Sequence, residues 1–285
     1  MNYKDGKWAG QIIQLQHDDG SWGFFHTLSN PVSGQLITTE QALRRLEILG
    51  FNNDDKPIKK SVKYMSDCLS GKIKIPDREE KTHNWKVFTE LMLSAWIRIF
   101  TRENEQANYT AEKWRDIISA SFINRIYDHL KYTEKFESIL KIKLNPKAGR
   151  LVDFSHFYLV SLLTNTLDRK TETDIFKYIL EHDNGIFYVY NHRLNTVPEA
   201  FQSKQASSYL RAIELLSKYK NEGCKKQLRF AAEWLKKNAI AENTWDMGKQ
   251  SKDGINLPLS DSWRTDEHRI GDCTYRIGRL MDCIG

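Results

Sequence analysis

The sequence is poor in the features that mark secreted, membrane-spanning and metal-binding proteins. Its four cysteines include no CxxC pair and stand at Cys68, Cys224, Cys273 and Cys283. This spacing predicts separate thiols, not a disulfide framework or a zinc site, and we expect no metal or cofactor. No apolar run approaches the roughly 18 residues that span a bilayer, so we expect no integral membrane segment. The first residues, MNYKDGKW, lack the apolar stretch of a secretion signal, which makes the cytoplasm the expected location.

Positive charge is not concentrated either. The net charge of +6 is spread over many helix faces, without a dense basic block interleaved with aromatic residues. This pattern predicts a solvated surface and no nucleic-acid partner, and it gives no indication of an oligomeric state. Aromatic residues, in contrast, make up 12% of the chain and include eight tryptophans. Since tryptophan is large, that number indicates either an extensive packed interior or a cavity with aromatic walls.

Apolar residues recur at helical spacing along most of the chain, whereas the alternation typical of strands is nearly absent. The pattern predicts an all-α protein of about ten to twelve helices. Helices rich in apolar residues, such as 84–100, alternate with amphipathic ones, such as 57–69. Inner and outer rings of helices would bury both kinds, so we predict an α/α toroid. No linker rich in Gly, Pro or Ser divides the chain, which favours one domain over residues 1–285.

The stretch QLQHDDGSWGFF, residues 14–25, places two acids directly before a glycine and a tryptophan. In one interpretation Asp18 and Asp19 are acids or metal ligands of a catalytic loop. In the other, the stretch is a structural clasp, in which Gly20 reverses the chain and Trp22 packs back on the helices.

Copies of this stretch decide between the two interpretations. Residues 181–187 repeat it with Gly185 and Phe187 at the glycine and tryptophan positions, and a weaker copy ends at Trp245. One domain has no need of several catalytic loops, whereas a clasp is useful at each helix end. The repetition therefore favours the clasp.

With Gln16, Gly20 and Trp22, the first copy resembles the QW repeat of squalene and oxidosqualene cyclases and of protein prenyltransferase β-subunits. The second copy lacks the Gln and has Phe for Trp, and the third lacks the glycine. The resemblance implies a squalene–hopene cyclase-like α/α toroid of the terpenoid cyclase and prenyltransferase superfamily. The chain has residues for one barrel only. The resemblance also implies that an isoprenoid or other apolar small molecule is bound or transformed in a central cavity.

The catalytic motifs of those families are not found. No DxDD-type sequence is present. The DxC of the prenyltransferase zinc site has no match, because Asp272 and Cys273 are adjacent and diverge by about 100° on a helix. Whether the protein is an enzyme is therefore left open by these residues.

The last predicted helix carries the first candidate site. His268 and Asp272 are spaced i and i+4, as an acid–base pair would be, and Arg269, Tyr275 and Arg276 could bind an anionic substrate. The alternative is a helix whose ion pairs close the ring between the first and last repeats.

Two further places put polar groups on apolar helices. Asp153 and His156 are spaced i and i+3 and could form a second catalytic pair, or could be a helix N-cap and a core histidine. The remaining candidates are the cavity-lining side chains Trp85, Glu90 and Tyr209. Glu90 could act as an acid if it is buried, because burial raises the pKa of a carboxyl group.

Three functions stay open at this stage. The first is binding or conversion of an apolar molecule, whose carbocations the faces of aromatic rings could stabilise. The second is a non-catalytic toroid that binds a ligand or a protein. The third is an α/α-barrel polysaccharide hydrolase or lyase, which requires two carboxylates about 5–10 Å apart.

Overall fold

A computed structural model describes residues 2–26, 37–81, 83–147 and 149–285 of the chain. The described chain is predominantly helical, which confirms the predicted helical class. In its first half the elements are α1 Lys7–Gln14, α2 Thr39–Ile48, α3 Lys56–Leu69, α4 Trp85–Phe100, α5 Glu105–Ala120, β1 Phe122–Ile123, β2 Ile126–Tyr127 and α6 His129–Leu140. In its second half they are α7 Gly149–Val152, α8 Phe157–Leu162, α9 Arg169–Glu181, α10 Lys204–Leu216, α11 Glu222–Gln227, α12 Arg229–Lys237, β3 Ala239–Ala241, β4 Thr244–Trp245 and α13 Asp266–Ile284.

The strands form two short antiparallel hairpins, β1 with β2 and β3 with β4. Within the described ranges, no helix combines the length and the apolar character needed to cross a lipid bilayer.

Helix α4 lies at the centre of the packing. Nearly every side chain in its second half is buried, and it contacts α3, α5 and α8. Arg98 fastens α4 to α8 by donating its Nε–H to the carbonyl of Leu162, at 3.2 Å. Such a helix, apolar almost all round, requires neighbours on every side.

Helix α2 reaches three other helices through two carboxylates. Glu40, near its start, accepts hydrogen bonds from Trp96 of α4 at 3.1 Å and from the hydroxyl of Tyr158 in α8 at 2.9 Å. Glu47, near its end, forms an ion pair of 2.6 Å with Arg211 of α10. The helices α2, α4, α8 and α10 therefore share one interior.

The two ends of the described chain contact each other. Tyr3 donates its hydroxyl to Asp272 of α13 at 2.9 Å, and its ring packs edge-on against Tyr275, with the centroids 4.8 Å apart. The indole of Trp8 in α1 donates to the carbonyl of Ser260, just before α13, at 3.0 Å. These contacts join the first helix to the last.

Candidate functional site

The turn between α1 and α2 joins three helices. Trp22 is buried and donates its indole N–H to the carbonyl of Ile12 in α1 at 2.7 Å. The side-chain amide of Gln16 donates to the carbonyl of Pro57 at 2.9 Å and to the hydroxyl of Ser61 at 3.0 Å, both in α3. The turn thereby fixes the end of α1 against α3.

Gly20 is required in this turn for two reasons. Its φ of +96° is a conformation that other residues rarely adopt, and a Cβ would lie 2.4 Å from the carbonyl oxygen of Lys60. The carboxylate of Asp19 accepts a hydrogen bond from the backbone N–H of Ser21 at 2.8 Å. Aspartate commonly stabilises a turn in this way, by bonding the backbone two residues further on.

Trp245 makes the same two contacts as Trp22. Its indole donates to the carbonyl of Leu235 at 2.8 Å, and in both cases the acceptor lies ten residues earlier in the chain. Its backbone N–H donates to the Thr274 hydroxyl at 3.0 Å, as that of Trp22 does to Thr39 at 2.9 Å. Each tryptophan therefore links the preceding helix to the following one.

Phe187 does not have the predicted role of a packed clasp ring. Its side chain is 48% exposed and lies against Tyr188, whereas the preceding Ile186 is fully buried. The backbone N–H of Phe187 donates to the carbonyl of Ser155, an extended pairing in which successive side chains point to opposite sides. The turn of this copy does match the first one: Gly185 also has a positive φ, +55°, and its N–H donates to the carbonyl of His182 at 3.0 Å, as that of Gly20 does to His17 at 3.0 Å.

Asp153 of the predicted pair with His156 makes its side-chain hydrogen bonds with other residues, although His156 also lowers its pKa. Asp153 lies 2.7 Å from Nε2 of His182 and 3.3 Å from the hydroxyl of Tyr178, whereas His156 is the N-cap of α8. Burial raises the pKa of Asp153, but the hydrogen bonds from His182 and from the backbone of Ser155 lower it by more. The pKa of Asp153 is therefore below its ordinary value. The hydrogen bond to Asp153 in turn raises the pKa of His182.

The predicted pair of His268 and Asp272 is not formed. Asp272 is completely buried and accepts five hydrogen bonds, none of them from His268. The donors are the hydroxyl of Tyr3, the backbone N–H groups of Leu259 and Ser260, the hydroxyl of Ser260 and the indole of Trp263. Asp272 therefore organises the loop before α13 and makes no hydrogen bond that would orient His268.

The arginines of α13 are held in internal ion pairs. Arg269 forms a two-point pair with Asp246, at 2.7 and 2.6 Å, and Arg276 forms one with Glu214, at 2.6 and 3.1 Å. Because both charges are already neutralised, these side chains do not form the predicted anion site. Tyr275 packs between Tyr3 and the guanidinium of Arg279, whose central carbon is 5.5 Å from the Tyr275 ring centroid.

The three predicted cavity-lining side chains have different surroundings. Glu90 is not the buried acid considered above, because it accepts from Thr110 at 2.9 Å and pairs with Lys113 at the partly exposed contact of α4 and α5. Tyr209 is buried and donates to the carbonyl of Leu194 at 3.0 Å. Trp85 is half-buried and its ring lies beside Phe88.

A charged cleft of about 250 Å³ lies between the ends of α2 and α10 and the second half of α13. It brings the carboxylates of Glu47 and Glu214 together around Arg211, which lies 2.6 and 3.8 Å from them. Burial raises the pKa of Glu47, but Arg211 and Lys218 lower it by more, to well below its ordinary value. Glu47 is therefore the carboxylate partner of Arg211 and Lys218 in this cleft.

A larger groove of about 560 Å³, here called the α1–α2 groove, is mainly apolar. Two of its apolar side chains, Trp8 and Leu15, are 38% and 37% exposed. It is lined by Trp8, Gln11, Ile12, Gln14, Leu15, Ile37, Gln41, Arg44, Arg45, Gly254 and Ile255. Its size falls in the range of small-molecule sites, roughly 300–1,000 Å³.

Two arginines of α2 line this groove. The guanidinium carbon of Arg44 is 5.2 Å from the ring centroid of Phe157, and a terminal nitrogen is 3.7 Å from Glu40. Its buried Nε has no hydrogen-bond partner among the residues that the structure describes. Arg45 donates to the carbonyls of Ile255, at 3.0 Å, and Pro258. Burial lowers the pKa of Arg45 to about 10.

Neither arginine stands out in the sequence as a site residue. Arg44 and Arg45 follow each other in an ordinary amphipathic helix, and such neighbours usually form part of its solvated face. Only the packing of α1 and residues 254–255 against α2 makes them groove residues.

Comparison of the chain with protein-family models, with curated proteins and with solved structures finds no match. The resemblance to QW-repeat proteins therefore rests on the turn at residues 16–22 and the related contacts of Trp245. Across the described parts of the chain, no group of three or more His, Cys, Asp or Glu side chains could hold a metal ion.

Proposed function

We propose that the protein is a single α/α toroid of the terpenoid cyclase and prenyltransferase type that binds an isoprenoid or other apolar small molecule in the α1–α2 groove. The shared interior of α2, α4, α8 and α10 supports the toroid, and so do the contacts of Tyr3 and Trp8 with the segment around α13. A cytoplasmic location belongs to the same proposal.

The observation that carries the function is the groove itself. Soluble proteins bury most of their large apolar side chains, and a concave apolar surface with a few polar groups is the usual form of a small-molecule site. Here Trp8, Leu15 and Ile255 stay partly exposed around one groove. A ligand that covered them would remove apolar surface from water, which contributes favourably to the free energy of binding.

Binding is favoured over catalysis. On α13, Asp272, Arg269 and Arg276 are used in structural hydrogen bonds and ion pairs. The interior between α2, α4 and α8 is occupied by Glu40, Trp96 and Tyr158. The non-catalytic toroid therefore agrees better with these contacts than an enzyme with a deep central cavity.

Titration with farnesol tests the function. Trp8 lines the groove, so we expect farnesol to change the tryptophan fluorescence of the wild-type protein and to change it much less in Trp8→Phe. Leu15→Asp should weaken binding about tenfold or more, because a bound apolar chain would desolvate the new carboxylate. Ile240→Asp on β3 is the matched control, since it places the same charge on an exposed apolar position outside the groove.

Unchanged affinity in Leu15→Asp, or no binding of farnesol by the wild-type protein, would remove the groove as the site. Circular dichroism of each variant separates a loss of binding from a loss of fold.

A further inference from the structure

We propose that a notch beside the end of α4 binds a dianionic phosphate group, either as the free ion or carried on a small molecule. This α4–α8 notch lies where residues within 98–102, 161–165 and 218–220 meet, at the ends of α4 and α8 and just after α10. Its volume of about 250 Å³ is below the roughly 300–1,000 Å³ of small-molecule sites, which suits a small anion or head group. The notch shares no lining residue with the α1–α2 groove, so the inference is independent of the proposed function.

The described residues that line the notch include four cations and no carboxylate. The cations are Arg98 and Arg102 from the end of α4, and Lys218 and Lys220 from the segment after α10. Lys218 is neutralised by its ion pair with Glu47. The other three cations form no ion pair with any residue that the structure describes, so three positive charges lack a carboxylate partner.

The hydrogen bonds of the two arginines do not neutralise them. Arg98 is buried and donates to a carbonyl, a hydroxyl and an amide oxygen, none of which is charged. Arg102 makes a single side-chain hydrogen bond, to the hydroxyl of Thr164 at 2.7 Å. A guanidinium has five N–H donors, so most of those of Arg102 are still available. Because Arg102 and Lys220 are both exposed, a ligand can reach their donors.

The two guanidiniums also lie close enough to affect each other. The pKa of Arg98 is lowered to about 10, first by burial and then by the charge of Arg102, and Glu112 opposes both by less. Partial removal from water also lowers the pKa of Arg102, and the groups that act on it include no carboxylate of the described chain. A bound anion would favour the charged form of both side chains.

The charge balance selects the class of anion. The C-terminal ends of α4, α8 and α10 meet at the notch, and each corresponds to roughly half a negative charge. Glu172 accepts from the backbone N–H of Asn165 at 3.0 Å, but burial raises its pKa and so favours its neutral form. Three unpaired cations therefore leave an excess of about 1.5 positive charges. A phosphate group carries about 1.5 to 2 negative charges at pH 7 and matches the fork of a guanidinium, whereas a carboxylate carries one.

Calorimetric titration of the full chain with inorganic phosphate, phenyl phosphate and acetate, at constant ionic strength, tests the inference. We expect phosphate to bind with a Kd of about 1 mM or tighter, and acetate to bind at least about tenfold more weakly. Arg102→Gln should weaken phosphate binding about tenfold or more, because it removes a charge-assisted hydrogen bond. Arg264→Gln removes the same charge from an exposed position outside the notch and should leave the affinity unchanged.

The two phosphate probes distinguish the sources of the group. Phosphate binding at least as tight as that of phenyl phosphate would identify the free ion as sufficient, and tighter binding of phenyl phosphate would identify a phosphate group on a larger molecule.

Three results would overturn the inference. They are the absence of saturable phosphate binding to the wild-type protein, acetate binding as tight as that of phosphate, and equal losses of affinity in Arg102→Gln and Arg264→Gln. The first two comparisons require no variant, and circular dichroism shows that both variants keep the fold in the third.

Discussion

Replacement of Asp272 by alanine should lower the free energy of unfolding by about 3–5 kcal/mol. The carboxylate is completely buried and accepts five hydrogen bonds. One donor is the hydroxyl of Tyr3, and the other four belong to the loop at 259–263 and include the indole of Trp263. Alanine would leave these buried donors unpartnered. Because Tyr3 is one of them, the loss extends to the contact between the two ends of the described chain. Equilibrium unfolding in urea measures the effect.

Asp282→Ala is the matched control for that experiment. Asp282 lies on the same helix, α13, and is exposed, so its replacement should change the free energy of unfolding by no more than about 0.5 kcal/mol. A loss of less than about 1 kcal/mol in Asp272→Ala would mean that its hydrogen bonds do not hold the loop in solution.

Trp22→Ala and Trp245→Ala should each cost about 3–5 kcal/mol, since each removes a large buried ring. The milder variants Trp22→Phe and Trp245→Phe keep most of the ring and remove the indole N–H, which leaves the carbonyls of Ile12 and Leu235 without this donor. We expect these two variants to lose similar amounts, roughly 1–3 kcal/mol each. Unfolding monitored by circular dichroism gives all four values.

Phe187→Ala is the contrasting variant, because its ring is about half exposed. Its effect should stay within about 1 kcal/mol, well below that of either tryptophan. A loss at Phe187 as large as that at Trp22 would contradict the assignment of the clasp to the two tryptophans.

The helices could be predicted from the sequence because their causes are local. The N-cap Thr38 with Gln41 starts α2, and α4 occupies residues 85–100, close to the predicted 84–100. Helix α8 begins only at Phe157, because residues around His156 pair in extended form with Phe187. That pairing joins residues distant in sequence, and helical periodicity carries no information about it.

The candidate site was harder to predict, because its contacts also join residues that are distant in sequence. The spacing of His268 and Asp272 correctly puts them one turn apart, but the partners of Asp272 come from Tyr3 and the loop at 259–263. The α1–α2 groove joins residues 8–15, 37–45 and 254–255. Only tertiary packing brings these segments together, so no motif in any one of them indicates a site.

Photo-labelling tests the central claim, that the α1–α2 groove binds an apolar molecule, most directly. The protein is irradiated with a farnesol analogue that carries a diazirine on its chain, and the labelled peptides are identified by mass spectrometry. We expect labels within residues 8–15, 41–45 and 254–255, and we expect excess farnesol to suppress them. Labels concentrated on α10 and α13 around the charged cleft, or labels that farnesol does not displace, would contradict the account.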